Sequence, residues 1–410
     1  MTAPAWVDLP PGSAFDVENL PYGVFSTPGG EPRVGVRIGD HVLDAAAVLG
    51  DDTLARGSLN TFMARGPAAW SLARRRLAGL LTDPAHRAAV EPHLVPLADV
   101  RLHLPVEVAD FVDFYSSIHH ATNAGRLLRP GQEPLQPNWR HLPVGYHGRA
   151  GTVVVSGTPV VRPCGQRKAP GDPAPVFGPS TRLDIEAEVG FVVGVPSTLG
   201  EPVPTSAFRR HVFGAVLLVD WSARDIQAWE NVPLGPFLAK SFATSISPWV
   251  VPLAALEAAR VPHPDQRPEP LPYLREDEPW GLDLHLEVAL NGTVVSRPEF
   301  ARMYWTAAQQ LAHMTVNGAS LRTGDLYGSG TVSGPDRREY GSLLELTENG
   351  ARPLPRPGGG AAAYLLDGDT VRVAATAPGP DGAAIGLGEV TGTIEPARAR
   401  PPAWREDAPA

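Results

Sequence analysis

Leu183-Asp184-Ile185-Glu186-Ala187-Glu188-Val189-Gly190 alternates apolar and acidic residues. Side chains two apart on an extended strand share a face. The octapeptide therefore predicts a strand with Leu183, Ile185 and Ala187 packed on one side and Glu186 and Glu188 projecting together from the other. Adjacent carboxylates repel, and such a pair is stable only if it is solvated, protonated or neutralised by a cation. Taken alone, the octapeptide fits a solvated strand face as well as it fits a cation site.

Phe213-Gly-Ala-Val-Leu-Leu-Val-Asp220-Trp221 shifts that balance. A continuous apolar run predicts a buried strand, and an unpaired aspartate at the rim of a core is costly. Asp220 needs a partner: Arg224, shortly downstream, is the structural one and a metal the functional one. A further acid, Asp113, stands among aromatics in Asp110-Phe-Val-Asp113-Phe-Tyr115. Asp113, Glu186, Glu188 and Asp220, with no nearby cysteine and no His-x-x-x-His spacing, specify an all-oxygen site. Such a site suits a hard cation, Mg²⁺ or Ca²⁺, where zinc and copper would prefer nitrogen or sulfur. Lys240 lies in the apolar context Pro236-Phe-Leu-Ala-Lys240-Ser-Phe and reads as a cation beside that metal, the alternative being a lysine that snorkels to the surface. His120, in Ser116-Ser-Ile-His119-His120-Ala-Thr-Asn, is a candidate general base, although a lone histidine is more often structural.

Outward from these segments, short strands at Thr152–Val155, Leu183–Val193, Phe213–Asp220, Leu284–Leu290 and Ala363–Val373 alternate with turns rich in the chain's 42 glycines and 45 prolines. A hairpin is expected across Val34–Leu43, turning at Gly39-Asp40. Trp70, Ala73, Leu77 and Leu80 are spaced for one apolar helix face, and a second helix is expected over Glu299–Met314. Residues 262–280 and 351–361 read as Pro- or Gly-rich loops. No βαβ alternation and no phosphate-cradling glycine loop occurs, which disfavours a dinucleotide fold. The fold class expected is mainly β (α+β), with a small domain over residues 1–104, a larger one over 105–397 and a loose tail at 398–410.

Composition closes off other classes. Of 410 residues, 43% are hydrophobic and 19% charged, as in a soluble globular protein. Net charge is −9 and no Lys/Arg cluster follows one face, so nucleic acid is not an expected partner. Cys164 is the only cysteine, which excludes an intramolecular disulfide and a cysteine-rich metal site. The first residues lack a basic region followed by an apolar stretch, and the longest apolar run is too short for a membrane span. A cytoplasmic location without a membrane partner is therefore expected.

Longer strings carry a family resemblance. Asp113-Phe-Tyr-Ser-Ser-Ile-His-His120-Ala-Thr-Asn, Pro137-Asn-Trp-Arg-His-Leu-Pro-Val-Gly-Tyr146-His-Gly-Arg-Ala, Asp220-Trp-Ser-Ala-Arg-Asp-Ile-Gln227, Pro233-Leu-Gly-Pro-Phe-Leu-Ala-Lys240-Ser-Phe, Gly330-Thr-Val-Ser-Gly334 and Gly341-Ser-Leu-Leu-Glu345-Leu resemble the fumarylacetoacetate hydrolase family. The resemblance runs in order from about residue 105 to 395 and, more loosely, through the N-terminal domain.

It implies an N-terminal SH3-like barrel, a C-terminal mixed β-sandwich roll and a homodimer. It implies Asp113, Glu186, Glu188 and Asp220 as metal ligands, with Lys240 and Thr244 at a second ion site. His120 becomes the base, oriented by Glu345, with Lys240, Gln227 and Arg224 as polar groups at the reacting centre. Tyr115, Arg129, Tyr146, Gln227 and Thr331 correspond to substrate contacts. Asn231 stands where the family typically carries a substrate-touching tyrosine, and Ala243 where it has a glycine. The implied activity is hydrolysis of the carbon–carbon bond of a diketo acid, 4-fumarylacetoacetate, to fumarate and acetoacetate, the last step of tyrosine breakdown. Alternatives on the same scaffold are an acylpyruvate hydrolase, a lyase such as an oxaloacetate decarboxylase, and a non-catalytic metal- or ligand-binding protein.

Overall fold

Three β-sheets dominate the computed structural model, which describes residues 4–356 and 359–398. The expected tail at 398–410 therefore lies, apart from its first residue, outside the described residues.

Near the N-terminus, five short strands form an antiparallel sheet in the order Leu94–Pro96, His41–Asp44, Arg33–Ile38, Tyr22–Ser26, Arg101–His103. The expected hairpin is present, and Gly39 takes φ +52° at its turn. The helix Pro67–Thr82 packs on this module, though Leu81 rather than Leu80 is the fully buried residue of its last turn.

The central sheet is mixed. Its strand order is Gly145–His147, Phe111–Phe114, Leu326–Gly328, Leu183–Val193, Val212–Ala223, Thr244–Ile246, Val153–Val155, with Val251–Pro252 also paired to Val212–Ala223. Two pairings are parallel: Leu326–Gly328 with Phe111–Phe114, and Thr244–Ile246 with Val153–Val155. Against it packs the third sheet: Thr293–Ser296, His285–Leu290, Thr370–Pro378, Ala384–Glu395 and Val160–Val161.

The alternation in the octapeptide explains this layering. Leu183, Ile185, Ala187, Val189 and Phe191, with Leu217, Val219 and Trp221 of the neighbouring strand, join Val373, Ile385 and Val390 in the core between the two sheets. Each such fully buried aliphatic side chain contributes roughly 1.5–3 kcal/mol relative to exposure. The opposite face divides along its length. At one end Val192, Val216 and Leu218 share the apolar core of the N-terminal module. At the other end the same face carries Asp184, Glu186, Glu188 and Asp220, all buried.

Two expected elements differ. The helix expected over Glu299–Met314 is an α-helix only over Ala307–Thr315, preceded by a short 3-10 turn at Phe300–Arg302. The backbone N–H groups of Tyr304 and Trp305 donate to the carbonyl of Ser116, at 3.0 and 3.4 Å, so the chain there is held against the loop after Asp113. Helix then starts at a capping box between Thr306 and Gln309. The strand expected over Ala363–Val373 begins only at Thr370. Its first half is spent on a bridge from Leu365 to Leu183 and on a turn closed by Asp369, which accepts from the Leu366 N–H at 2.6 Å.

Candidate active site

Strand register brings the acids together. Glu186 lies directly opposite Asp220 in the antiparallel pair, and Glu188 follows two residues on along the same face. Asp113 arrives from Phe111–Phe114, paired to Gly328, which is itself paired to Gly190. One carboxylate oxygen from each of Asp113, Glu186, Glu188 and Asp220 lies within 4.8 Å of the others, and all four residues are buried. Glycine is required between them. A Cβ on Gly328 would sit 2.8 Å from Glu188 Oε2 and 3.1 Å from Asp113 Oδ1.

The electrostatics are those of a site short of positive charge. Burial, followed by the charges of neighbouring acids, pushes the Asp113 and Glu188 carboxyls well above the usual carboxylate range. Burial likewise pushes Asp220 up to about 6, although Lys240 opposes it. Glu186 goes the other way: against the cost of burial, Lys240 and Arg224 hold its carboxyl well below the usual range. Among the described residues, the buried Asp113 Oδ1 and Glu188 Oε1 find no hydrogen-bond partner. Unpartnered buried oxygens on converging carboxylates fit a hard divalent cation, and the all-oxygen donor set fits Mg²⁺ or Ca²⁺ chemistry.

Lys240 is buried, as the sequence suggested, and its Nζ donates to Glu186 Oε2 at 2.6 Å and to Asp220 Oδ2 at 2.5 Å. Of the two partners considered for Asp220, Arg224 makes no ion pair with it. Arg224 follows the end of the strand, and its guanidinium folds back along the acidic face to Asp184 at 2.8 Å and Glu186 at 2.7 Å. Its remaining arm reaches Gln227 Oε1 at 3.0 Å. Lys240 takes the place beside Asp220 because the 237–240 turn returns the chain to the strand end, where the Ala223 N–H donates to the Ala239 carbonyl. Asp220, Lys240, Thr244 and Tyr146 line one small cavity of about 110 Å³.

His120 sits on the helix Ile118–Leu128, which Ser117 caps by accepting from the His120 N–H at 3.2 Å. Its Nδ1 meets Glu345 Oε2 at 2.7 Å. Glu345 also accepts from Ser333 and Ser342 hydroxyls at 2.9 and 2.8 Å and from the Asn123 amide at 3.0 Å. Although burial opposes it, His120 and these donors hold the Glu345 carboxyl below its ordinary value. An ionised carboxylate only accepts, so Nδ1 carries a proton, and in the neutral ring the lone pair is on Nε2. Nε2 stands 3.6 Å from Glu186 Oε1, beyond hydrogen-bond reach. The imidazole thus faces the acid cluster, with Tyr115 packed edge-on at a centroid distance of 5.3 Å.

Among the proposed substrate contacts, Tyr146 lies opposite Asp113 in the strand register, and the buried Thr331 hydroxyl has no hydrogen-bond partner among the described residues. Arg129 ends the His120 helix, one arm donating to the Pro134 carbonyl at 2.8 Å and its Nε buried without a partner. Asn231 is exposed at the end of the helix Arg224–Glu230, one turn beyond Gln227. Sequence reasoning overlooked Asp184, Asn123, Ser333 and Ser342. Asp184 had a signal, since the same period that pairs Glu186 with Glu188 puts it on their face. The other three are ordinary polar residues that only the tertiary contacts bring to Glu345.

Residues 111–395 match the family model described as fumarylacetoacetate (FAA) hydrolase C-terminal, and residues 18–105 that of fumarylacetoacetase N-terminal. The chain belongs to the fumarylacetoacetate hydrolase family. It is 46% identical to human fumarylacetoacetase over 415 residues, covering 96% of this chain and 99% of the relative. It is 47% identical to the fumarylacetoacetase of Caenorhabditis elegans over 416 residues, with the same coverage. Among solved structures, the fumarylacetoacetate hydrolase of Exiguobacterium antarcticum is similar in fold, with a TM-score of 0.56 at 18% identity, covering 92% of this chain and all of that one.

Proposed function

We infer that this family member hydrolyses the carbon–carbon bond of 4-fumarylacetoacetate to fumarate and acetoacetate. The observation that carries the reading is the juxtaposition of two unpartnered carboxylate oxygens, on Asp113 and Glu188, with an imidazole whose free nitrogen faces the same cluster. The near full-length likeness to fumarylacetoacetases selects the substrate.

Asp113, Glu186, Glu188 and Asp220 would hold Mg²⁺ or Ca²⁺, and Lys240 with Thr244 would serve a second ion. A bound divalent cation supplies Lewis acidity toward the diketo oxygens. His120 Nε2 takes a proton from water as the water oxygen adds to the fumaryl carbonyl. Glu345 keeps the ring oriented and stabilises the imidazolium formed. The bond to the neighbouring CH₂ then breaks, and its electron pair leaves as the enolate of the second ketone. A proton returned to that carbon completes acetoacetate. Lys240, Gln227 and Arg224 provide donors and positive charge near the developing oxyanion, where losing one donor costs about 3–4 kcal/mol. Arg129, with Tyr115, Tyr146 and Thr331, would anchor the substrate, a guanidinium being suited to a carboxylate. Asn231 in place of a tyrosine would loosen one contact.

Residues 1–104 would form the SH3-like barrel and 105–397 the catalytic β-roll of a cytoplasmic homodimer. Among the described residues no helix is long and apolar enough to cross a membrane. Exposed Val232, Leu234 and Phe237 offer apolar surface that a second copy would cover.

The test is product analysis after incubation with fumarylacetoacetate, an acylpyruvate and oxaloacetate. Fumarate and acetoacetate are expected, with loss of activity after exhaustive EDTA treatment. His120→Ala should keep the fold and lower turnover by about 10³-fold or more. Near-normal turnover in that variant would refute the base assignment, and decarboxylation of oxaloacetate alone would favour a lyase.

A further inference from the structure

We propose that Asp184 is a positioning residue that sets the distance between the base and the metal-binding carboxylates; the proposal rests on the hydrolase reading above. Asp184 has no solvent exposure and is not one of the four converging acids. Its two oxygens are saturated by four donors. Oδ1 accepts the N–H groups of Ile185 and Leu343, both at 2.7 Å. Oδ2 accepts the Leu344 N–H at 3.0 Å and Arg224 Nε at 2.8 Å.

These donors lead to the two sides of the reaction centre. Leu343 and Leu344 open the short helix whose next residue is Glu345, and Glu345 grips His120 Nδ1 at 2.7 Å. Arg224 leads to Glu186 Oε1 at 2.7 Å, the same oxygen that stands 3.6 Å from His120 Nε2. The contacts therefore form one circuit, from His120 through Glu345, the 343–344 backbone, Asp184 and Arg224 to Glu186, open only at the 3.6 Å gap between Glu186 Oε1 and His120 Nε2. Asp184 is the one member that binds both halves and has no proposed contact with substrate or cation. A neutral amide of the same shape has only one oxygen to accept with. In Asp184→Asn at least one backbone N–H or the guanidinium would face an N–H donor, and one side of the circuit would shift.

The experiment is D184N, studied as the full chain alone and combined with H120A. Outer-shell partners of this kind are worth roughly 10–100-fold in activity. The expected result is a kcat lower by about 30-fold with KM changed less than about threefold. Mn²⁺ affinity, read by electron paramagnetic resonance, should stay within about threefold. The downfield NMR signal of the His120 Nδ1 proton should move or vanish. In the residual turnover of H120A, adding D184N should cost no more than about twofold, because the residue acts through the imidazole. The proposal is overturned by wild-type kcat in D184N, by an unmoved ring-proton signal, or by a loss that multiplies on H120A. If D184N does not fold, D184E, which keeps the charge but displaces the two acceptor oxygens, carries the same readouts and the same criteria. Should the unaltered protein fail to hydrolyse fumarylacetoacetate, the reaction assignment falls, while the ring-proton signal and Mn²⁺ affinity still decide the role of Asp184.

Discussion

Asp184 and Glu188 lie on one face of one strand, and neither has any solvent exposure, yet their surroundings are opposite. Asp184 receives three backbone N–H groups and a guanidinium. Glu188 receives one N–H, from Gly330 at 3.0 Å, and its other oxygen has none. A buried carboxylate costs several kcal/mol unless its lone pairs are met. The protein meets that cost with its own donors at Asp184 and leaves it open at Glu188. Glu276 is a third case, away from the site: Oε1 accepts from Thr306, Oε2 has no hydrogen bond among the described residues and stands 3.8 Å from His263 Nε2, and burial pushes its carboxyl up to about 7. Buried acids here are thus satisfied by protein, by a proton, or left for a cation.

The sharpest way to break this contrast is Glu188→Gln. Removing a charge from the open cluster should abolish stabilisation by Mg²⁺ and lower kcat/KM by more than about 10³-fold, about 4 kcal/mol. At a pH high enough to ionise the cluster, the metal-free protein should nevertheless melt higher, because one repulsive buried charge is gone. A lower melting temperature would mean that Glu188 is already satisfied. Asp184→Ala should act in the opposite sense, destabilising the fold by about 3 kcal/mol in denaturant unfolding, since Arg224 loses a partner in a buried setting. A cost under about 1 kcal/mol would erase the distinction between the two acids.

Cation binding should come next in size. Mg²⁺ or Ca²⁺ at about a hundredfold over its Kd should stabilise the chain by about 2.7 kcal/mol, and an unchanged melting temperature would remove the premise of the open cluster. Gly328→Ala, which brings a methyl against Glu188 and Asp113, should weaken Mn²⁺ binding by roughly 10–100-fold while leaving the Glu345–His120 pair alone.

The smallest effect is expected at Glu276, where the sign can be worked out. The folded carboxyl holds its proton up to about pH 7, whereas the unfolded one loses it near its ordinary value of 4.5. The folded state then binds more protons than the unfolded state in that interval. Stability falls as pH rises from about 4.5 through 7. Glu276→Gln should flatten that part of the pH–stability profile, and an unaltered slope would show that the carboxyl is not protonated there.

Much of the site was legible from period and composition. The alternation Leu183–Glu188 fixes which side chains share a face, and the apolar run ending at Asp220 requires a buried acid to find a counter-charge. The strings around His120 and Glu345 assigned their pairing only through family resemblance, because the two residues are 225 positions apart and no local rule links them. Local rules also misjudged Arg224, which looked close enough in sequence to serve Asp220. Likewise they extended the helix at Glu299–Met314 through Tyr304 and Trp305, whose N–H groups are taken by Ser116.

What the sequence determined by itself is the two long central strands, Leu183–Val193 and the run ending at Asp220, their inward and outward faces, and the presence of uncompensated buried acids, since those follow from the backbone's period of two and from the cost of burying charge. Which acids are saturated and which stay open was decided only by tertiary structure. That outcome depends on donors from segments far away in the chain, Leu343 and Leu344 for Asp184 and Gly330 for Glu188. Their arrival is a matter of how the sheets pack, which no local pattern records.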